Sequence, residues 1–172
     1  MTNNPGLYIH VPFCSAICPY CDFSVLPGTA ARSERYLSRL LDEISGVPES
    51  FGVFDTLYFG GGTPSFLPPE HLARVLEELR AREWLTPDCR IYLEANPEDV
   101  SASAVKAWRD LGVHTLSLGV QALDDESLSW LGRRHTASEA RRAVELARDG
   151  QFDCLSFDLI YGLEGQSLSD WQ

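Results

Sequence analysis

Three cysteines lie close together near the start of the chain, Cys14-Ser15-Ala16-Ile17-Cys18-Pro19-Tyr20-Cys21, in a C-x3-C-x2-C spacing. Three thiolates on one loop can hold three irons of an iron–sulfur cubane and leave the fourth iron open to a small molecule. A structural zinc ion would instead want four closed ligands, with His10 just upstream as the candidate fourth. A third reading makes the three incidental buried thiols. The grouping favours the cluster. It also suits metal ligation in a reducing compartment better than a disulfide framework, since the chain has an odd number of cysteines. Cys89 and Cys154 stand alone and read as small, buried, apolar side chains.

Further along, Gly60-Gly61-Gly62-Thr63-Pro64 offers backbone N–H groups that a Cβ would otherwise shield. The run lacks the Gly-Lys-Ser/Thr of a phosphate-binding loop, so it is either a ligand cradle or a tight turn. Four more residues are polar where their neighbours are apolar: Glu94, Gln121, Asp158, and Arg133 within Leu131-Gly132-Arg133-Arg134-His135. Singly, each reads as a loop anchor or a solvated charge. His71 reads as a surface helix residue, and no catalytic role is assigned to His10, His114 or His135.

The elements that must position these groups follow from periodicity. Strands are predicted at Leu7 to Val11, Thr56 to Gly60, Arg90 to Glu94, Thr115 to Gln121 and Cys154 to Tyr161. Helical spacing covers Ser33 to Ile44, Pro69 to Glu83, Ser101 to Leu111 and Ser138 to Arg148, with a shorter piece at Asp124 to Leu131. Pro69 fits a first helical position, and Ser101 or Ser103 caps the third helix. Repeated βα units with strands apolar on both faces imply an α/β fold, a parallel sheet covered by helices and wound as a partial TIM-type barrel. In such a fold the C-terminal strand ends converge on one mouth. That mouth brings together the cysteine loop, the glycine run, Glu94, Gln121, Arg133 and Asp158.

With 172 residues and 44% hydrophobic content, the chain is long enough for one substantial core. Fourteen basic against 25 acidic residues give a net charge of −11, which argues against a surface that tracks phosphate backbones or anionic lipid, so nucleic acid is not an expected partner. The opening Met1 to Gly6 has no basic and apolar leader, no stretch approaches a spanning helix, and the chain reads as cytoplasmic. A further helix start at Ser167 to Ser169 and a last strand without a neighbour indicate that residues 1–172 form an incomplete core domain at the N-terminal end of a longer protein.

At the cysteine loop the sequence resembles the radical S-adenosylmethionine (SAM) superfamily, in which the open iron of a [4Fe-4S] cluster chelates SAM. More narrowly, Tyr8-x-His10-x-Pro12-Phe13-Cys14 with Cys18-Pro19-Tyr20-Cys21-Asp22-Phe23 is similar to the oxygen-independent coproporphyrinogen III oxidase family and its heme-chaperone branch. The resemblance spans essentially the whole chain. It implies that Cys14, Cys18 and Cys21 hold the cluster and that Gly61, Gly62 and Thr63 receive the methionine end of SAM. Glu94, Gln121, Arg133, Asp158, Tyr8 and Tyr20 then match SAM-contacting positions.

The chemistry so implied is electron transfer from the reduced cluster into the SAM sulfonium, giving methionine and a 5'-deoxyadenosyl radical. The oxidase branch is a coproporphyrinogen-dehydrogenase-type oxidoreductase that decarboxylates two propionates, whereas the chaperone branch binds heme and delivers it to heme-receiving proteins. Either implies an electron donor such as flavodoxin or ferredoxin. Phe23 stands where the oxidase branch has a further cysteine, and Tyr8 lies almost at the chain start where that branch has a long preceding segment; both favour the chaperone. Glu164 replaces a proline expected in Gly162-Leu163-Glu164-Gly165-Gln166. A zinc module on an α/β scaffold is the third expectation.

Overall fold

The computed structural model describes residues 4–171, so Met1 to Asn3 of the opening stretch and the terminal Gln172 lie outside the described residues. From the N-terminus the chain runs β1 (Gly6–Val11), two short strands β2 (Phe13–Cys14) and β3 (Leu26–Pro27), α1 (Ala30–Gly46), β4 (Phe54–Gly61), α2 (Pro69–Ala81) and β5 (Leu85–Ala95). It continues through α3 (Ala102–Asp110), β6 (Val113–Gln121), α4 (Asp125–Trp130), α5 (Ala137–Asp149), β7 (Cys154–Leu159) and α6 (Leu168–Trp171). Five strands form one parallel sheet in the order β1-β4-β5-β6-β7. Because spatial order follows chain order, each βα unit lies beside the last and the sheet winds in one sense, as in part of a (β/α) barrel. The five expected strands are all present. The β2–β3 pair was not legible from periodicity, which two-residue strands cannot display.

Helix starts explain several boundaries. Thr29 caps α1 by accepting from the Arg32 N–H, Pro69 opens α2, and Ser101, not Ser103, caps α3 by accepting from Ala104. Thr136 and Glu139 form a reciprocal capping box on α5. Gln166 Oε1 accepts from the Gly162 and Leu163 N–H groups, closing the loop in which Glu164 stands.

The strands are not apolar on both faces. Ile9, Val11, Leu57, Phe59, Ile91, Leu93, Leu116 and Leu118 are buried on the helix-covered face. α2 answers them with Leu72, Val75, Leu76 and Leu79, a single i, i+3, i+4, i+7 stripe. Each such aliphatic burial contributes about 1.5–3 kcal/mol, so packing rather than helix propensity holds α2 in place. The opposite face carries Tyr8, Tyr58 and Tyr92 in one cross-strand row. Their rings stack at centroid distances of 5.9 Å and 5.7 Å. Tyrosines suit a face that is apolar at the ring and polar at the hydroxyl.

His71, expected on the surface, is buried between α2 and α1. Its Nε2–H donates to Glu34 Oε1 at 3.0 Å and its Nδ1 accepts from Ser33 Oγ at 2.9 Å. The set has the composition of a nucleophilic triad, but Ser33 is 1% exposed and faces a helix interface, so it serves as a polar staple. Cys154, expected to be buried, is exposed on the edge strand β7, while Cys89 is half-buried against the core. Among the described residues no helix is long and apolar enough to cross a membrane.

Candidate functional site

The cysteine loop leaves β1 at Pro12, passes through Cys14 on β2 and returns on β3. The Leu26 N–H donates to the Pro12 carbonyl and the Gly28 N–H to the Cys14 carbonyl, tying both ends of the loop to the barrel rim. Between them Cys21 N–H donates to the Cys18 carbonyl in a tight turn, which turns Cys18 and Cys21 to the same side. Cys14, Cys18 and Cys21 all line one cavity of about 230 Å³ at the C-terminal ends of the strands. Ile17 and Phe23 contribute to its lining and remain exposed.

The glycine run is required by close approach. A Cβ on Gly62 would lie 2.8 Å from the Phe13 carbonyl oxygen and 3.0 Å from Cys14 Sγ, and Gly61 adopts φ 118°, where L side chains are strained. Thr63 follows and donates from Oγ1 to Cys14 Sγ at 3.4 Å. Burial pushes the Cys14 thiol up, with the Thr63 hydrogen bond acting against it.

Glu94 at the end of β5 has both oxygens occupied: Tyr58 OH donates to Oε1 at 2.8 Å and the Gly61 N–H to Oε2 at 3.0 Å. Burial, followed by that bond to Glu94, raises the Tyr58 hydroxyl well above its ordinary value. Gln121 ends β6 at φ 68°, a left-handed conformation costing roughly 1–3 kcal/mol that persists only where surroundings enforce it. Here its carbonyl accepts from the Ile160 N–H at 2.9 Å, locking the crossing to β7. Asp158 projects from β7, its carboxyl raised by burial and partly lowered again by Arg133.

Arg133 lies on the loop after α4, where Gly132 at φ 67° packs against Pro19 of the cysteine loop. Its Nη2 donates to Asn96 Oδ1 at 2.7 Å and to the Gly119 carbonyl at 2.9 Å, while Nη1 points to Tyr20 OH at 3.4 Å and Cys18 Sγ at 3.6 Å. Burial pushes the Tyr20 hydroxyl up to about 12, with the Arg133 charge opposing it.

Eleven of the twelve residues singled out from the sequence therefore share one cavity: Cys14, Cys18, Tyr20, Cys21, Gly61, Gly62, Thr63, Glu94, Gln121, Arg133 and Asp158. Tyr8 is the exception. It stacks on Tyr58 with its hydroxyl 3.3 Å from His10 Nδ1, and lines a separate, larger groove of about 440 Å³ between β1 and α1. That groove is mostly aliphatic and aromatic and contains no cysteine. Sequence reading missed Asn96, Ser117 and Gly119 in the cavity wall, and Tyr58 behind Glu94. The signal for Asn96 was present, since it follows Glu94 by the two-residue period that returns a strand side chain to the same face.

The donor set fits a cluster better than a closed zinc site. His10, the candidate fourth zinc ligand, instead places Nε2 3.0 Å from the Ser24 carbonyl. Among the described residues that line the cavity, the three thiols are accompanied by no histidine, and the wall beside them is formed by Gly61, Gly62, Glu94 and Arg133.

Comparison with known proteins agrees. Residues 8–172 match the family model for the radical SAM superfamily. The chain is 39% identical over 169 residues to the heme chaperone HemW of Escherichia coli K12, covering 96% of this chain and 44% of that one. It is also 40% identical over 168 residues to an oxygen-independent coproporphyrinogen III oxidase of Pseudomonas aeruginosa, covering 94% and 36%. The coproporphyrinogen III oxidase HemN of Escherichia coli, described as a radical SAM enzyme, superimposes with a TM-score of 0.89 at 28% identity, over 98% of this chain and 40% of that one. The chain belongs to the radical SAM superfamily. Membership implies a [4Fe-4S] cluster and SAM, and the chain spans under half the length of the curated relatives it matches.

Proposed function

We propose that the chain is the cluster- and SAM-binding part of a heme chaperone of the HemW type. The observation that carries the reading is the single cavity in which Cys14, Cys18 and Cys21 face Gly61, Gly62, Thr63, Glu94, Gln121, Arg133 and Asp158. In this reading the three thiolates hold three irons. Glu94, its oxygens oriented by Tyr58 and Gly61, supplies negative charge for the ammonium of SAM, and Arg133 supplies positive charge for its carboxylate. Gln121 and Asp158 provide polar partners for the remainder of the molecule. When bound, cluster and SAM supply reductive cleavage of a sulfonium, and the protein supplies orientation and exclusion of oxygen and water.

One feature favours the chaperone over the oxidase. Phe23, in the cavity wall and 69% exposed, stands where the family resemblance implies a further cysteine in the oxidase branch. Sequence identity does not separate the two, since HemW proteins of Escherichia coli and Bacillus subtilis are 39% and 37% identical to this chain and the Pseudomonas oxidase is 40% identical. The similarity to the Pseudomonas oxidase and to HemN keeps the porphyrinogen-oxidising reading as the second one. The partners that go with the first are heme, a heme-receiving protein, and an electron donor of the flavodoxin or ferredoxin kind.

The test uses the full-length protein, reconstituted anaerobically. A chaperone binds heme and leaves coproporphyrinogen III unconverted in the presence of SAM and reductant. Formation of protoporphyrinogen IX and carbon dioxide, with SAM consumed in step and at a rate well above that of Cys18→Ala, would establish the oxidase instead.

A further inference from the structure

We infer that Asn96 is a positioning residue for the cluster ligands, the middle member of a one-way hydrogen-bond relay running from the Arg133 guanidinium to the Cys14 sulfur. The inference rests on Cys14, Cys18 and Cys21 being the cluster ligands.

The direction of the relay follows from donor and acceptor inventories. A guanidinium has N–H donors and no acceptor. Arg133 Nη2 lies 2.7 Å from Asn96 Oδ1, so the carbonyl end of the Asn96 amide must face the arginine. The amide nitrogen is thereby turned the other way, and Nδ2 donates to Thr63 Oγ1 at 3.1 Å. Having accepted that bond, the Thr63 hydroxyl has one proton left to place, and Cys14 Sγ lies 3.4 Å away. Thr63 is 3% exposed, so water does not compete for that proton. Reversing the Asn96 amide would require the arginine to accept a hydrogen bond, and a ligating thiolate at Cys14 has no proton to return to Thr63.

The second arm of the same guanidinium reaches Cys18 directly, with Nη1 3.6 Å from Sγ. One charged group thus serves two of the three cysteines, one through space and one through Asn96 and Thr63. Asn96 is fixed for the task by its backbone, whose N–H donates to Ser65 Oγ at 3.2 Å while Ser65 Oγ donates to Asp99 Oδ2 at 2.6 Å. That backbone anchor does not need the side-chain amide, which is what separates a relay from a simple turn anchor.

Hydrogen bonds to ligating sulfurs stabilise the more negative, reduced state of a cluster and raise its reduction potential. With the Asn96 amide removed, the Thr63 hydroxyl is free to rotate away from Cys14, and Arg133 loses a partner that holds it over Cys18. Asn96→Ala in the full chain is therefore expected to shift the cluster potential negative at unchanged iron and sulfide content. Thr63→Val should shift it in the same direction, and Thr63→Ser, which keeps the hydroxyl, should restore it.

The decisive comparison is the double variant. If Asn96 acts through Thr63, its substitution in the Thr63→Val background moves the potential less than it does in the parent. Spectroelectrochemical titration followed by electron paramagnetic resonance reads all four proteins without SAM turnover. Additive shifts, or an unmoved potential in Asn96→Ala, overturn the relay. Should Asn96→Ala fail to assemble a cluster, Asn96→Asp is read by the same criterion, because the effect of its added charge persists in the Thr63→Val background while a relay effect does not. A parent protein that holds no labile sulfide would fail the cluster reading itself, a result distinct from failure of the relay.

Discussion

Arg133 and Cys18, 115 residues apart in sequence, meet across the mouth of the sheet with Nη1 3.6 Å from Sγ. Gly132 makes this possible, because its left-handed backbone lets the loop press onto Pro19, where a Cβ would lie 2.6 Å from the proline ring. The guanidinium is thereby placed between the cysteine loop and the ends of β5 and β6. It can hold the ligand sulfurs and a carboxylate ligand in the same region. Replacing Arg133 by Ala should weaken SAM binding by roughly ten- to a hundredfold, the usual loss of about 1.5–3 kcal/mol for a hydrogen bond to a charged group. Calorimetric titration of the anaerobic protein measures it, and unchanged affinity would reduce Arg133 to a loop anchor.

Glu94 should behave similarly, with Tyr58 one step behind it. Glu94→Ala removes the carboxylate and should cost SAM affinity on the scale of Arg133→Ala. Tyr58→Phe removes only the donor that orients Oε1, so the expected loss is roughly two- to tenfold, with cluster content unchanged. Equal losses in the two variants would mean that Tyr58 contacts the ligand itself.

Cluster assembly separates the cysteines into two groups. Cys14→Ala, Cys18→Ala and Cys21→Ala should each abolish the cluster, whereas Cys89→Ala and Cys154→Ala should leave iron and sulfide content unchanged, since neither lines the cavity. Stoichiometric zinc without labile sulfide in the parent would replace the cluster reading by the zinc module.

The staple between α1 and α2 predicts a stability effect remote from the site. His71→Ala leaves the buried Ser33 hydroxyl without its partner, at a cost of about 1–3 kcal/mol. Denaturant unfolding should show a lower midpoint. SAM affinity of the folded protein should be unaltered.

Glu98 predicts the acid limb of the stability profile. Burial raises its carboxyl, but hydrogen bonds from His135 and from its own backbone, with the Arg133 charge behind them, leave it below the ordinary glutamate value. A folded-state pKa below the unfolded one contributes stability that is present above the unfolded pKa and lost as pH falls through the folded one. Glu98→Gln should therefore flatten the fall in denaturation midpoint below about pH 4.5, while leaving the slope near neutrality as it was. An unchanged acid limb would show that the Glu98–His135 contact, 3.3 Å long, does not outlast protein motion.

What the sequence by itself determined is whatever depends on short-range spacing. Cys14, Cys18 and Cys21 lie within seven positions of one another, which limits their separation to roughly 25 Å. Glu94, Gln121 and Asp158 reach one mouth because parallel strands joined by helices must all end on the same side. The tertiary structure decided what depends on which helix face or strand side meets which neighbour. Helical spacing left His71 with no visible partner, because Ser33 and Glu34 approach it from another helix. Tyr8 is not in the cavity wall; its register with Tyr58 on the neighbouring strand stacks it on the ring whose hydroxyl holds Glu94. In sequence Asn96 is one asparagine before a proline, and the strand period places it on the cavity face without giving it a partner. Its role exists only where Thr63 and Arg133, from β4's end and α4's loop, arrive on either side of its amide, a coincidence of three elements that no local pattern encodes.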